Sequence, residues 1–507
     1  MDPVELQVLN GALRAICEEM GAVLIRSAHS ANIKERRDAS TALFTRTGEM
    51  VMQAEHIPVH LGAMPAAVAA VLDVDHAPGR SWVLNDPYRG GTHLPDITVI
   101  TPVFSPAVAG QASPQLIAFA ANRAHHADVG GPTPGSMPAD STCLADEGVV
   151  IEPQVLDEAG ITELSGQMRR PDQRRADFRA QLAAGRVGAL RVGELAARLG
   201  SDELQAAFAE VLDYAERRMR ACLRELEDGE RHAEDVLEAL EGDLPIRLRA
   251  VVRGEELELD FTGSAGRHRG NLNCPEAVTR SACYFAVRVL TDPDLPANAG
   301  AYRPLRVVAP EGSLLNARHR GADPGSAPAV VGGNVETSSR VADVVLAAFG
   351  QALGQGTMNN LTLGDEEVVY YETIAGGQGA CSDADGPSAV HVAMSNTLNT
   401  PIEALELEFP LRMVRYAVRH GSGGAGRHHG GDGVIRELEA LRPLRYSLIT
   451  ERRRHRPAGA DGGEPGQAGR NLLDGVPLPA KAIGELKAGQ RLCIETPGGG
   501  GLGSAES

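Results

Sequence analysis

Two short segments near the start of the chain constrain its fold more than any other feature. One runs Asn85-Asp86-Pro87-Tyr88-Arg89-Gly90-Gly91-Thr92-His93-Leu94-Pro95-Asp96, the other Arg123-Ala124-His125-His126-Ala127-Asp128-Val129-Gly130-Gly131. Each lies beside an apolar run that reads as a strand, Ile97 to Val103 for the first and Leu116 to Ala121 for the second, with the loop Ser105 to Pro114 between them. Strand ends are where a sheet gathers functional side chains on one rim. Imidazole combined with carboxylate suits Zn²⁺, Mn²⁺ or Fe²⁺, whereas Ca²⁺ and Mg²⁺ prefer oxygen alone, and no cysteine lies nearby to suggest a thiolate site. A site with few protein ligands keeps a position open for water or substrate. The plain alternative is that His-x-x-Asp recurs by chance and that His126 or Asp128 satisfies turn backbone groups.

Further elements follow from periodicity. Asp2-Pro3 reads as an N-cap and first helical residue, and Leu6, Leu9, Leu13, Ile16, Met20, Val23 and Leu24 trace one apolar face of a helix to about Ser30. Thr41 to Phe44 and Met50 to Ala54, joined at Thr47-Gly48, read as a hairpin, and Ser81 to Leu84 as another strand. Asp38 sits at the mouth of that hairpin, either capping a turn or supplying a further carboxylate. Leu204 to Leu226 has helical spacing, Ile246 to Val252 and Leu257 to Phe261 read as strands joined at Arg253-Gly254, and Ala277 to Leu290 reads as a helix behind Pro275. These patterns predict an α/β or α+β fold with mixed sheets. They divide it into an N-terminal region 1–150 holding the metal site, a helical segment 151–240 and a Gly-rich α/β region 241–507.

Glycine is concentrated late in the chain, at Gly332-Gly333, Gly376-Gly377, Gly379, Gly421 to Gly426, Gly430-Gly431 and Gly498 to Gly501. Such clusters make tight turns or anion-binding nests. None has the strand-to-helix setting of a phosphate loop, so ATP is not placed on this chain. Pro457 to Gly469 reads as a mobile loop.

With 49 basic against 67 acidic residues the net charge is −18, which argues against binding a nucleic-acid backbone. The short Arg-rich pieces Arg169 to Arg175 and Arg452 to Arg456 read as solvated loops or partner contacts. Seven cysteines without paired spacing fit a reduced protein, and neither a signal peptide nor a membrane-spanning apolar stretch is evident, so a cytoplasmic location is expected.

Several ordered segments resemble the hydantoinase B/oxoprolinase family. They are Asn32 to Asp38, Asn85 to Pro87 with Gly91 to Asp96, Asn122 to Gly131, Tyr370-Tyr371-Glu372-Thr373, Gly421 to Gly426 and Pro497 to Gly501. The resemblance implies the B-type subunit of an ATP-dependent hydrolase of hydantoin, 5-oxoproline or other lactam rings. It also implies a separate hydantoinase A-type partner that carries ATP and Mg²⁺, in a heterotetramer or larger assembly. Mapped by motif, the divalent metal falls on Asp38, His93, Asp96 and His125. His126 points to the opposite strand face if the segment is extended. Asp128 and Glu372 are the candidate proton-transfer residues, and Arg89 and Arg123 the candidate contacts for substrate carboxylate or phosphate, with a structural ion pair as the alternative. More distant relatives are ketone carboxylase subunits, so a carboxylase component is the competing function and a non-catalytic scaffold a third.

Overall fold

The computed structural model describes residues 2–55, 57–106, 114–319, 321 and 323–504. Most of the expected loop Ser105 to Pro114 lies outside the described residues. Helix Pro3–Ser27 is held at its start by Asp2, whose side chain accepts from the Val4 and Glu5 amides while the Glu5 carboxylate accepts from the Asp2 amide. It stops short of Ser30 because the His29 and Ser30 amides turn away to donate to Asp177 Oδ1.

The N-terminal sheet contains β1 (Ala39–Thr45), β2 (Met50–Glu55), β3 (Ser81–Leu84), β4 (Asp96–Phe104), β5 (Leu116–His125) and β6 (Gln154–Leu156). Their order is β2-β1-β5-β4-β3-β6 and every neighbouring pair is antiparallel. Both faces are covered, so β1 is buried along its whole length, its Ser40, Thr41 and Thr45 included. Successive β1 residues serve opposite cores. Leu43 packs with helix Pro3–Ser27 and helices Pro171–Leu199 and Ser201–Leu223, whereas Ala42 and Phe44 pack with helices Ala63–Ala69, Glu276–Leu290 and Ser338–Ala348.

Three more sheets follow among the described residues. β7 (Gly229–Ala239), β8 (Gly242–Arg253), β9 (Glu256–Asp260) and β10 (Leu305–Val308) form a sheet in which only β9 and β10 run parallel. β11 (Asn360–Gly364), β12 (Val369–Glu372), β15 (Leu444–Ile449) and β18 (Lys481–Leu486) form the third. β13 (Leu411–Arg419), β14 (Gly433–Ala440), β16 (Arg470–Leu473), β17 (Val476–Leu478) and β19 (Arg491–Glu495) form the fourth. Antiparallel pairing predominates, which places the fold in the α+β half of the expectation.

Four expectations need correction. The segment 151–240 is not helical throughout, since β6 joins the N-terminal sheet and β7 opens the second one. The Arg-rich pieces are solvated only in part, at Arg170, Arg454 and Arg456. Arg174 lies in the first turn of helix Pro171–Leu199 and is buried against Asp177, while Arg452 is buried between Asp235 and Asp343, carboxylates too distant in sequence to be read as its partners. Apart from Gly332-Gly333, which packs against Asn271 and Asn273, the glycine clusters form one packed assembly instead of separate tight turns: Gly431 N donates to Gln378 O, Gly499 N to Gly431 O and Gly424 N to Gly499 O. A Cβ on Gly431 would lie 2.0 Å from Pro387 O, so only glycine permits this backbone approach. Pro457 to Gly469 is stitched into the same assembly through Ala460 N to Gly501 O and Gly466 N to Pro457 O.

Candidate metal centre

The N-terminal sheet delivers three acidic or imidazole side chains to one rim. Asp96 opens β4, His125 closes β5, and the two face each other in register. Asp38 precedes β1, and its carbonyl accepts the His125 amide at 3.0 Å. His93 arrives from the loop after β3. That loop is fixed by Asn85, whose Nδ2 donates to the Leu94 and Val149 carbonyls while its Oδ1 accepts from the Ile151 amide. Gly90, at φ +98°, lets the loop lie against the backbone of Ala66 and Ala67.

The facing atoms are close-set. His93 Nε2 lies 3.2 Å from His125 Nδ1 and 3.3 Å from Asp96 Oδ2, and His125 Nδ1 lies 3.2 Å from Asp96 Oδ1. Atoms bonded to one ion at roughly 2.0–2.2 Å stand about 3.0–3.5 Å apart in tetrahedral or octahedral shells. The donor set and its spacing therefore fit a single first-row divalent ion. Asp38, His60 and Asp96 make a second group whose ligand atoms lie within 4.8 Å of one another.

Burial is nearly complete for all five residues. Burial alone would raise the Asp96 pKa, yet the His93 charge and bonds from His125, His60 and His93 hold it well below the usual carboxylate range. Thr92 Oγ1 also donates to Asp96 Oδ2 at 2.5 Å. Burial lowers the His60 pKa, although Asp96 opposes it. Tyr371 stacks on the His125 ring with centroids 4.6 Å apart, and the Arg36 guanidinium lies over the Tyr371 ring, 4.7 Å from its centroid. The cavity among these residues is only about 20 Å³ and is lined by Asp38, His60, His93, Asp96, His125 and Tyr371, with Ser395 and Thr397 among the remainder. That is room for one water-sized group.

Sequence reasoning missed His60. It lies in a short turn, Pro58–His60, within an apolar stretch and without a carboxylate beside it in sequence, where a lone histidine reads as core. Its Nδ1 pairs with Ser40 Oγ at 2.9 Å and its Nε2 lies 3.4 Å from Asp96 Oδ2. His126 faces the other side of the sheet, against Gln181 and Phe178.

The remaining candidates lie elsewhere. Asp128 accepts from the Gly130 and Gly135 amides and from Arg169, which holds a turn. Glu372 is paired with Arg436 at 2.5 Å and accepts from Tyr370 and the Thr400 amide. Neither lines the cavity. Arg123 is fully buried, donating to Thr98 Oγ1 and to Gly90 O, and burial pushes its pKa down to about 10. It braces the loop that carries His93. Arg89 is half-exposed and lines a surface pocket of about 340 Å³ with Asp86 and His319.

Residues 2–505 match the family model for hydantoinase B/oxoprolinase. The chain belongs to this family. It is 39% identical to 5-oxoprolinase 1 of Arabidopsis thaliana over 99% of its own length and 42% of that protein's, so it spans about two fifths of that relative. It is 30% identical to a protein from Pseudomonas sp. (strain NS671) named as the B-type subunit of a D-/L-hydantoinase, covering 99% of this chain and 90% of that one. The crystal structure of ATP-dependent caprolactamase from Pseudomonas jessenii superposes with a TM-score of 0.90 at 28% identity, over 99% of this chain and 91% of that chain. No helix among the described residues is long and apolar enough to cross a membrane.

Proposed function

We propose that this chain is the metal-binding subunit of an ATP-dependent cyclic amidase, opening a hydantoin, 5-oxoproline or other lactam ring. The convergence of Asp38, His93, Asp96 and His125 on one buried cavity carries the reading. Relatives named as a 5-oxoprolinase, a hydantoinase B-type subunit and an ATP-dependent caprolactamase support it. A hydantoinase A-type partner would hold ATP and Mg²⁺; this chain spans only 42% of 5-oxoprolinase 1, which leaves room in that protein for such a part.

Asp38, His93, Asp96 and His125 would hold Zn²⁺, Mn²⁺ or Fe²⁺, with His60 beside them. Such an ion supplies Lewis acidity and brings a water's pKa toward neutrality. The chain's own residues do the rest. Asn85 and Arg123 fix the loop bearing His93, and the stacked Tyr371 holds the His125 ring. Because the space among these residues is water-sized, this reading places the ring in adjoining space. In this reading the partner transfers the phosphoryl group of ATP to the ring carbonyl oxygen as the ring nitrogen loses its proton. The product is an imidate, whose C=N carbon is open to water. Asp128 and Glu372 are too committed to structural bonds to move that water's proton, and Arg123 acts as a brace instead of a substrate contact.

The test is to purify the chain with its A-type partner and follow ADP release with hydantoin, 5-oxoproline, larger lactams and ketones, with metal content measured on the same sample. ADP release stimulated by a cyclic amide, a ring-opened product and bound metal support the proposal. Turnover only with a ketone and bicarbonate would make the chain a carboxylase component. Full activity from metal-free protein would leave it a scaffold.

A further inference from the structure

Beside the metal cavity lies a separate pocket of about 270 Å³, walled by Pro58, Phe285, Val289, Leu346 and Val392. Ser395 lines both spaces, and His391 lines the pocket alone. Ser395 Oγ and His391 Nδ1 are 2.5 Å apart. The other ring nitrogen, Nε2, lies 3.4 Å from Thr397 Oγ1, and Thr397 is locked in place by Thr373 Oγ1 at 2.6 Å and by Arg36 Nη2 at 3.2 Å. Arg36 also bonds Thr373 Oγ1 and the Tyr371 carbonyl, so the support beneath the imidazole is the support beneath the ring stacked on His125. A hydroxyl at the junction of two cavities, bonded to an imidazole that is itself oriented from behind, is the arrangement that moves protons. Burial, reinforced by the Arg36 charge, pushes the His391 pKa down to about 4, which keeps the ring neutral and able to accept.

We propose that Ser395 and His391 form a proton-transfer pair between the cavity, where water is held, and the pocket, where the substrate ring sits; this rests on the ring-opening function above. The ring proton of His391 lies on Nε2, facing Thr397, and Nδ1 accepts from Ser395. As the water oxygen bonds to the imidate carbon, the C=N π pair moves onto the ring nitrogen. The water proton passes to Ser395 Oγ while the Ser395 proton moves to His391 Nδ1, and the imidazolium returns one proton to the nitrogen through the same hydroxyl. The net step adds OH to carbon and H to nitrogen, and leaves both residues as they began. The adduct's hydroxyl proton then passes to the nitrogen as C=O re-forms and the ring C–N bond breaks, giving an amine and an acyl phosphate that a second water hydrolyses to carboxylate and phosphate.

Two measurements test the pair, using the complex with the A-type subunit and His391→Ala, His391→Asn and Ser395→Ala. General acid–base groups contribute about 10²–10⁴-fold, so ring opening should fall by that order in each variant while metal content is retained, and added imidazole should restore part of the His391→Ala rate. The second readout needs no turnover. With Co²⁺ in the site, the visible bands should keep their form in the variants, showing an unchanged ligand set, while the pH at which they change is displaced from wild type. Ring opening within threefold of wild type in His391→Ala, or an altered cobalt ligand set, overturns the proposal. If the wild-type complex itself opens no cyclic amide, the function proposed above fails, and an undisplaced cobalt inflection in Ser395→Ala and His391→Asn then overturns the pair on its own.

Discussion

Two buried charge clusters in this protein are built on opposite principles. In the first, between β7 and helix Ser338–Ala348, each carboxylate is answered by a guanidinium. Arg452 Nη2 lies 2.6 Å from Asp235 and 2.8 Å from Asp343, and Arg340 Nη1 lies 3.3 Å from Asp235. In the second, at the rim of the N-terminal sheet, two carboxylates and three histidines turn their oxygens and ring nitrogens toward one another, and among the described residues no guanidinium is paired with them. Buried charge is costly unless paired. The first cluster is complete as folded, whereas the second calls for a cation at its centre. Burial of polar groups alone therefore does not mark a functional site; the absence of an answering guanidinium does.

The largest expected effect separates the two. Asp96→Ala or His93→Ala should strip the metal and reduce ring opening by about 10³-fold or more, as expected when a metal-activated water is lost, with the far-ultraviolet circular dichroism unchanged. Metal retained at wild-type levels in both variants would break the comparison. Arg452→Ala should do the reverse. It removes the nearer partner of Asp235 and Asp343, leaving only Arg340 at 3.3 Å and 3.5 Å to answer two buried carboxylates, and should cost about 3–5 kcal/mol of stability in denaturant titration, with metal content unaltered.

The comparison also explains what the sequence could and could not show. Helix Pro3–Ser27, the β1–β2 hairpin and β3, β4 and β5 are legible because capping residues and period-2 or 3.6-residue patterns are local. Strand ends draw attention to Asp38, Asp86, His93, Asp96, His125 and His126 alike, and only the resemblance to the family singles out Asp38, His93, Asp96 and His125. The guanidinium cluster was illegible because Asp235 and Arg452 are 217 positions apart, so the arginines looked solvated. β7 was missed because His232, Glu234 and Asp235 break the apolar alternation that marks a strand; their partners are Glu230, Arg247 and Arg452. His60 reaches the site from a turn with no local signal. The glycine assembly was read as turns because its hydrogen bonds join segments far apart in the chain.

Glu336 tests the boundary between the clusters. It lies in the turn Gly333–Thr337, next to cavity-lining Asn334 and Val335, and accepts from Thr357 and the Met358 amide. Burial, with the Glu451 charge adding to it, raises its pKa from 4.5 to about 8. A carboxyl whose folded pKa is raised binds more protons folded than unfolded, so its favourable contribution is full below about pH 4.5 and is lost as the pH rises toward 8. Glu336→Gln should remove that dependence, making stability at pH 8 relative to pH 5 more favourable by on the order of 3 kcal/mol in parallel denaturant titrations. An identical pH dependence in wild type and variant would place Glu336 with the answered charges.

The smallest effect concerns His60, which stands at the edge of the unanswered cluster. Its Nδ1 is fixed by Ser40 and its Nε2 is directed at Asp96 Oδ2, the oxygen that also faces His93. A residue that orients a ligand instead of supplying one changes metal affinity by about 10–100-fold. His60→Gln should therefore weaken metal binding within that range in a chelator competition, and should leave the Co²⁺ bands in their wild-type form. Loss of metal as complete as in Asp96→Ala would make His60 a ligand, and the unanswered cluster would then be a five-residue shell centred on Asp96, the residue common to both groups at the rim.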